Sequence, residues 1–230
     1  MLRCFRLLSL IGCMTYTGMV YAACGGSLVF DDMSPQELAA HLQKLLNLAE
    51  KGDDDAQCRL GVAYFEGHGV DRDYAKGLAW FKKSAAQGNA EAQFRLGEAY
   101  FEGQGVEPSY GEAMMWLQKS AEQGNIEAQG TIGLMYFRGI GVRQDVGYGL
   151  AWFKKAAEKG FMPAQYELGL AYDSGTGVEK DLKQAIFWYK KAADQGSLRA
   201  QRRLDALGEG EKDPVEDTSA GQKKQENNKK

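Results

Sequence analysis

Histidine occurs only twice in the 230 residues, at His41 and His68. With no cysteine or carboxylate cluster around them they make no metal site, and neither a metal nor a cofactor is expected. Cysteine is almost as scarce, and two of the four, Cys4 and Cys13, fall within the first 22 residues. There is no C-x-x-C, H-E-x-x-H, G-x-S-x-G, S-x-x-K or phosphate-loop G-K-[ST]. The chain therefore offers no nucleophile with its base and no candidate catalytic residue, and it reads as a non-enzyme. Basic excess is also missing: 28 Lys and Arg stand against 31 Asp and Glu. A net charge of -3 leaves no electrostatic footprint for nucleic acid.

A long hydrophobic run is missing too. The uncharged stretch from Leu7 to Val20 is shorter than the ~20 residues a spanning helix needs. With Arg3 and Arg6 before it and Val20-Tyr21-Ala22 after it, residues 1-22 read as a secretory signal peptide cleaved after Ala22. A periplasmic or secreted protein without stable membrane insertion is expected. The alternatives are an uncleaved membrane anchor, or a lipoprotein through Leu10-Ile11-Gly12-Cys13 or Tyr21-Ala22-Ala23-Cys24. Cleavage leaves Cys24 and Cys58, for which two readings are open: a disulfide between them in an oxidising compartment, or Cys58 as a small buried side chain.

What the chain does have is period. Its four tryptophans, Trp80, Trp116, Trp152 and Trp188, recur every 36 residues. Gly61, Gly97, Gly133 and Gly169 keep the same interval upstream, as do Gly88, Gly124, Gly160 and Gly196 downstream. A fixed period of this size means stacked units rather than one closed core. The units are 54-89, 90-125, 126-161 and 162-197.

Within a unit, Ala92, Leu96, Gly97 and Tyr100 follow an i, i+4, i+5, i+8 pattern that suits a helix, helix A. It ends at a G-x-G-V turn, Gly103-Gln104-Gly105-Val106 in the second unit, where glycine can adopt the left-handed conformation. Helix B begins behind Asp73, Ser109, Asp145 or Asp181, all N-capping residue types. Asn89, Asn125 and Ser197 supply the caps for the next helix A, while the third junction has Phe161 and Pro163 instead. Gly61 and Gly77 are expected where the two helices approach closely, and the tryptophans are expected in the core between units. Leu42, Leu45 and Ala49 continue the helix B frame backward, and Ala200 and Leu204 the helix A frame forward, as imperfect end caps. Residues 23-33 read as a linker, 34-208 as the solenoid, and 209-230, almost without apolar side chains, as a disordered polar tail.

The string Ala92-Gln93-Phe94-Arg95-Leu96-Gly97-Glu98-Ala99-Tyr100, with the G-x-G-V turn, Trp116, Lys119, Ala121 and Gly124 after it, resembles the Sel-one-like repeat (SLR) family, relatives of tetratricopeptide repeats. The resemblance covers residues 34 to about 208. It implies an all-α superhelix of helix pairs, with helix A on the concave side, serving as an adaptor for protein complexes. By analogy with tetratricopeptide grooves, a partner protein is expected against Val62, Phe65, Glu66, Phe94, Glu98, Phe101, Glu102, Leu134, Phe137, Arg138, Tyr166, Leu170 and Asp173. In that picture Phe65, Phe101 and Phe137 receive an apolar segment and the charged residues orient it; alternatively these rings pack inside the solenoid. Cysteine-rich exported members of the family are linked to β-lactams or cell-wall fragments. Such binding or hydrolysis is the rival reading here, weakened because this chain cannot form a disulfide in each repeat. A monomer that binds a protein partner is expected, its partner unspecified by sequence.

Overall fold

A computed structural model describes residues 34-208. The segments expected as a signal peptide (1-22), a linker (23-33, with Cys24) and a polar tail (209-230) lie outside the described residues. Among the described residues there are ten α-helices and no strand. Helix α1 (Pro35–Glu50) leads into four A–B pairs. These are α2 (Asp54–Glu66) with α3 (Tyr74–Ala86), α4 (Ala90–Glu102) with α5 (Tyr110–Glu122), α6 (Ile126–Arg138) with α7 (Val146–Glu158), and α8 (Met162–Ser174) with α9 (Leu182–Ala193). Helix α10 (Leu198–Ala206) closes the array. The main packing is between consecutive helices, as in a solenoid whose units touch only their neighbours.

Local chemistry sets the boundaries. The Asp73, Ser109, Asp145 and Asp181 side chains accept from the amides of Lys76, Glu112, Tyr148 and Gln184, satisfying donors that a helix start leaves open. Asn89, Asn125 and Ser197 do the same for the next helices, whereas Phe161 makes no capping bond and leaves Pro163 to start α8. Gly103 ends α4 at φ 71°, where a side chain would be strained.

Inside each pair the helices touch closely. A Cβ on Gly61 would lie 2.6 Å from the Phe81 ring, and one on Gly77 would lie 2.9 Å from the Gly61 carbonyl. Phe81, Leu117, Phe153 and Tyr189 occupy this contact in successive units, all buried. Each contributes about 1.5–3 kcal/mol by leaving water.

The tryptophans lie between units, as the period predicts. Trp116 packs on the cluster of Cys58, Phe81 and Leu96, and Trp152 on that of Phe94, Leu117 and Ile132. Only Trp188 is buried, however, and the other three are half-exposed. Lysines cover their open faces: Lys83, Lys119 and Lys155 stand 3.9, 4.4 and 4.5 Å above Trp80, Trp116 and Trp152.

A second ladder is polar. Gln57, Gln93, Gln129 and Gln165 each donate from Nε2 to the carbonyl of Ala49, Ala85, Ala121 or Ala157 at the end of the preceding helix. Gln87, Gln123 and Gln195 then donate to Oε1 of Gln57, Gln93 and Gln165. The matching residue in the third unit is Lys159, which donates to the Gly124 carbonyl and leaves the buried Gln129 Oε1 without a partner among the described residues.

Candidate functional site

In α4 the charged residues Glu91, Arg95, Glu98 and Glu102 are spaced i, i+4, i+7, i+11 on one side of the helix, with Glu91 buried and the other three at least partly exposed. The same places hold Asp55, Arg59, Val62 and Glu66 in α2, then Glu127, Thr131, Leu134 and Arg138 in α6. In α8 they hold Pro163, Glu167, Leu170 and Ser174, and in α10 Arg199 and Arg203. Parallel copies of one stripe make a continuous face across the A helices, called the A-face below.

Charge is divided between the layers. The four A helices carry nine acids and three arginines, while the four B helices carry nine lysines and three glutamates. The A-face is therefore the negative side of the solenoid. Arg95 sits at its acidic centre, with Nε 2.7 Å from Glu91 and Nη1 3.5 Å from Glu98. Burial works against its charge, but Glu98, Glu91 and Glu66 outweigh that and hold its pKa above the ordinary value. One guanidinium does not neutralise the carboxylates around it. Burial first, then Glu102, Glu91 and Glu127, raises the Glu98 carboxyl against the opposing pull of Arg95. Burial also raises Glu102 and Glu127. Towards the C-terminal end the sign changes: burial raises Glu167, and nearby Arg138 and Arg199 oppose the shift.

Of the residues expected from sequence, this face brings together Val62, Glu66, Glu98, Glu102, Leu134, Arg138 and Leu170. Val62 and Leu134 are buried in the stripe, so they form its floor. The aromatic residues belong elsewhere. Phe65 packs edge-on at 4.8 Å from Tyr74, Phe101 lies 5.4 Å from Tyr110, and Phe137 lies 5.8 Å from Phe153, all on the helix B side. Phe94 and Phe101 are each only 4% exposed. These rings pack within the repeat, and among the described residues they form no open aromatic stripe for an apolar segment. The reason is helical phase, because Phe101 stands one residue, or about 100°, from Glu102 and so turns towards helix B. Tyr166 packs on Tyr189 at 5.9 Å, and Asp173 is buried beneath Arg203.

Sequence reasoning missed Arg95, Glu91, Glu127, Glu167 and Arg203. Comparing charges at the 36-residue period would have found them. Cys58 is fully buried in the first core cluster, the place of a small apolar side chain, and Cys24 lies outside the described residues. Among the described residues no group of His, Cys, Asp and Glu could hold a metal ion, and no helix is long and apolar enough to cross a membrane.

The comparisons agree on the architecture. The Sel1 repeat model matches residues 54–89, 90–125, 126–161 and 163–197. A Sel1 repeat protein from Oxalobacter formigenes is similar at 33% identity and TM-score 0.69, over 73% of this chain and 67% of that one. The protein c5321, a protective antigen of uropathogenic Escherichia coli with an SLR fold, is similar at 38% identity and TM-score 0.69. The match covers 77% of this chain and 39% of c5321, so this chain spans about two fifths of that relative. The immunity protein Pa5087 from Pseudomonas aeruginosa follows at 26% identity and TM-score 0.52, over 74% of this chain and 62% of that one. No curated protein matches. Four matched repeats, helix pairs joined by G-x-G turns and like-folded relatives establish an all-α repeat scaffold, of a kind that generally mediates protein–protein interaction. The chain belongs to the Sel1 repeat family.

Proposed function

We propose that the chain is an exported adaptor, periplasmic or secreted once residues 1-22 are removed, whose A-face is the concave side of the superhelix and holds a segment of another protein. It acts without covalent chemistry and as a monomer. The observation that supports this reading is the A-face itself, where Arg95 stands among Glu66, Glu91, Glu98, Glu102 and Glu127. Burial raises the carboxyl groups of Glu98, Glu102 and Glu127, and an incoming cation favours their charged form, so the partner segment carries lysine or arginine. The floor of Val62 and Leu134 supplies apolar area between the charges. Binding by such a surface is salt-dependent.

The test is photo-crosslinking in the native cell from a reactive residue in place of Glu102, with Lys154 on α7 as the control. A discrete adduct from position 102 alone supports the A-face. Adducts only from position 154 move the site to the B helices, and silence from both returns the chain to the reading of a small-molecule binder. Fractionating the same culture into cytoplasm, periplasm and medium tests export, and recovery of the uncut chain in the cytoplasm would sink it.

A further inference from the structure

We propose that residues 209-230 of the same chain lie along the A-face, their acidic first part against Arg138 and Arg199 and their lysines against Glu66, Glu98 and Glu102. The inference rests on the A-face being the binding surface and adds what regulates it.

Charge order is the first argument. Along the face, Arg199 and Arg203 stand at the α10 end, Glu167 lies between Arg199 and Arg138, and beyond them Glu98, Glu102 and Glu66 outnumber Arg95 and Arg59. Along the tail, residues 209-217 hold five carboxylates and one lysine, and residues 221-230 hold four lysines and one glutamate. The two sequences of charge are complementary if the tail turns back over the solenoid from α10. A tail with one sign throughout would meet repulsion at one end of the face. This one does not.

Register is the second. Residue 210 is the 36-residue counterpart of Ser174, Arg138, Glu102 and Glu66, the last places of the stripe in α8, α6, α4 and α2. Gly208, from which the tail departs, follows α10, the last helix to carry the stripe. Three helix-A steps separate α10 from α4, about 30 Å at the usual helix spacing of about 10 Å. The fifteen residues from Gly208 to Lys223 can extend to about 50 Å. The lysines reach Glu98 and Glu102 with slack to spare.

Composition is the third. Pro214, Val215 and Ala220 are the apolar residues in this segment, so the contact is electrostatic and reversible. Each ion pair is weak, but tethering gives the tail an effective concentration in the millimolar range. A partner must displace it, and the tail thereby selects for partners with denser positive charge than its own.

The experiment is zero-length carbodiimide cross-linking of the purified full chain, dilute enough that adducts form within one molecule, with mass-spectrometric mapping. At low salt, Lys223, Lys224, Lys229 and Lys230 should join Glu66, Glu98 or Glu102 in clear excess over Glu122 and Glu158 on the B helices. High salt should abolish the excess. Equal yields on both layers, or none on the A-face, overturn the proposal, as does cross-linking found only between copies. The four lysines changed together to glutamine, a variant outside the helices whose fold circular dichroism checks, should raise the yield of the partner adduct at position 102. An unchanged yield also overturns the tail's role while leaving the adaptor reading intact.

Discussion

The Tyr189 hydroxyl donates a hydrogen bond to Asp173 Oδ2 at 3.2 Å, at the place where Phe153 and Phe137 meet ring to ring in the preceding unit. Arg203 Nη2 from α10 donates to the same oxygen. The last unit has thus exchanged an aromatic pair for a polar triad that ties on the closing helix. Asp173→Ala removes an acceptor shared by two donors and should cost about 1–3 kcal/mol in chemical denaturation. Asp173→Phe with Tyr189→Phe rebuilds the pair of the earlier unit and should recover much of that loss; strictly additive single and double variants would refute the coupling. Burial first, with Asp173 adding and Arg203 opposing, pushes the Tyr189 phenol up to about 12 from 10. The unfolded chain loses this proton first as pH rises. The stability it contributes is therefore present below pH 10 and fades as pH climbs towards 12.

Lys159 interrupts the glutamine ladder, leaving Gln129 Oε1 buried and without a partner among the described residues. Lys159→Gln places at position 159 the residue type found at 87, 123 and 195. It should stabilise the protein by about 0.5–1.5 kcal/mol, the net value of one internal hydrogen bond. Thermal unfolding of the two proteins decides it, and an unchanged or lower midpoint would show that the lysine already satisfies Gln129.

Phe161 and Gly130 are a linked exchange. A Cβ on Gly130 would lie 2.3 Å from the Phe161 ring, which fills the room that the missing side chain leaves. Phe161 in turn gives up the capping bond that Asn125 makes one unit earlier. Gly130→Ala alone should destabilise by about 1–3 kcal/mol through overpacking. Combined with Phe161→Asn, which removes the ring and returns the cap, the alanine should be tolerated. If the double variant is no more stable than Gly130→Ala, the exchange is not coupled.

The period, the caps and the turns were legible in the sequence because each depends on residues near in the chain and recurs four times. Asp73 needs only the amide of Lys76, so its role can be read without the fold. The site was half legible. Glu98, Glu102 and Arg138 were assigned to the open face, but so were Phe65, Phe101 and Phe137, because the packing angle between helices A and B was not fixed by the pattern of leucines alone. One residue is about 100° of helix, and an error of that size exchanges Glu102 for Phe101. The Tyr189–Asp173–Arg203 contact was out of reach, since it requires knowing that α10 docks in register as though it were a fifth helix A.

Trp116 packs on the core of the unit before it while Lys119 lies 4.4 Å above its ring. One face of the ring is thus covered by a lysine side chain rather than by the core. Trp116→Ala should cost about 3 kcal/mol, the low end for truncating a large aromatic residue. Trp188, only 6% exposed, should cost more than Trp116 under the same change. Equal losses in denaturant titrations would mean that burial does not rank these sites.

The A-face predicts a particular pH dependence. Burial, followed by Glu102, Glu91 and Glu127, raises the Glu98 carboxyl from the ordinary 4.5 to about 8. The folded protein then holds this proton where the unfolded chain has released it. The contribution to stability is complete below pH 4.5 and is lost as pH rises towards 8, the reverse of a carboxylate whose pKa is depressed by an ion pair. The side chain is 39% exposed, so water screens part of the effect and the slope, rather than its size, is the quantity to measure. Glu98→Gln cannot ionise and should flatten the fall in unfolding midpoint between pH 5 and pH 8, and a basic peptide should raise the midpoint of the parent protein more than that of the variant. A parent protein whose stability rises with pH across this range, and whose slope the substitution leaves alone, would mean that Arg95 already compensates the cluster and that no cation is awaited there.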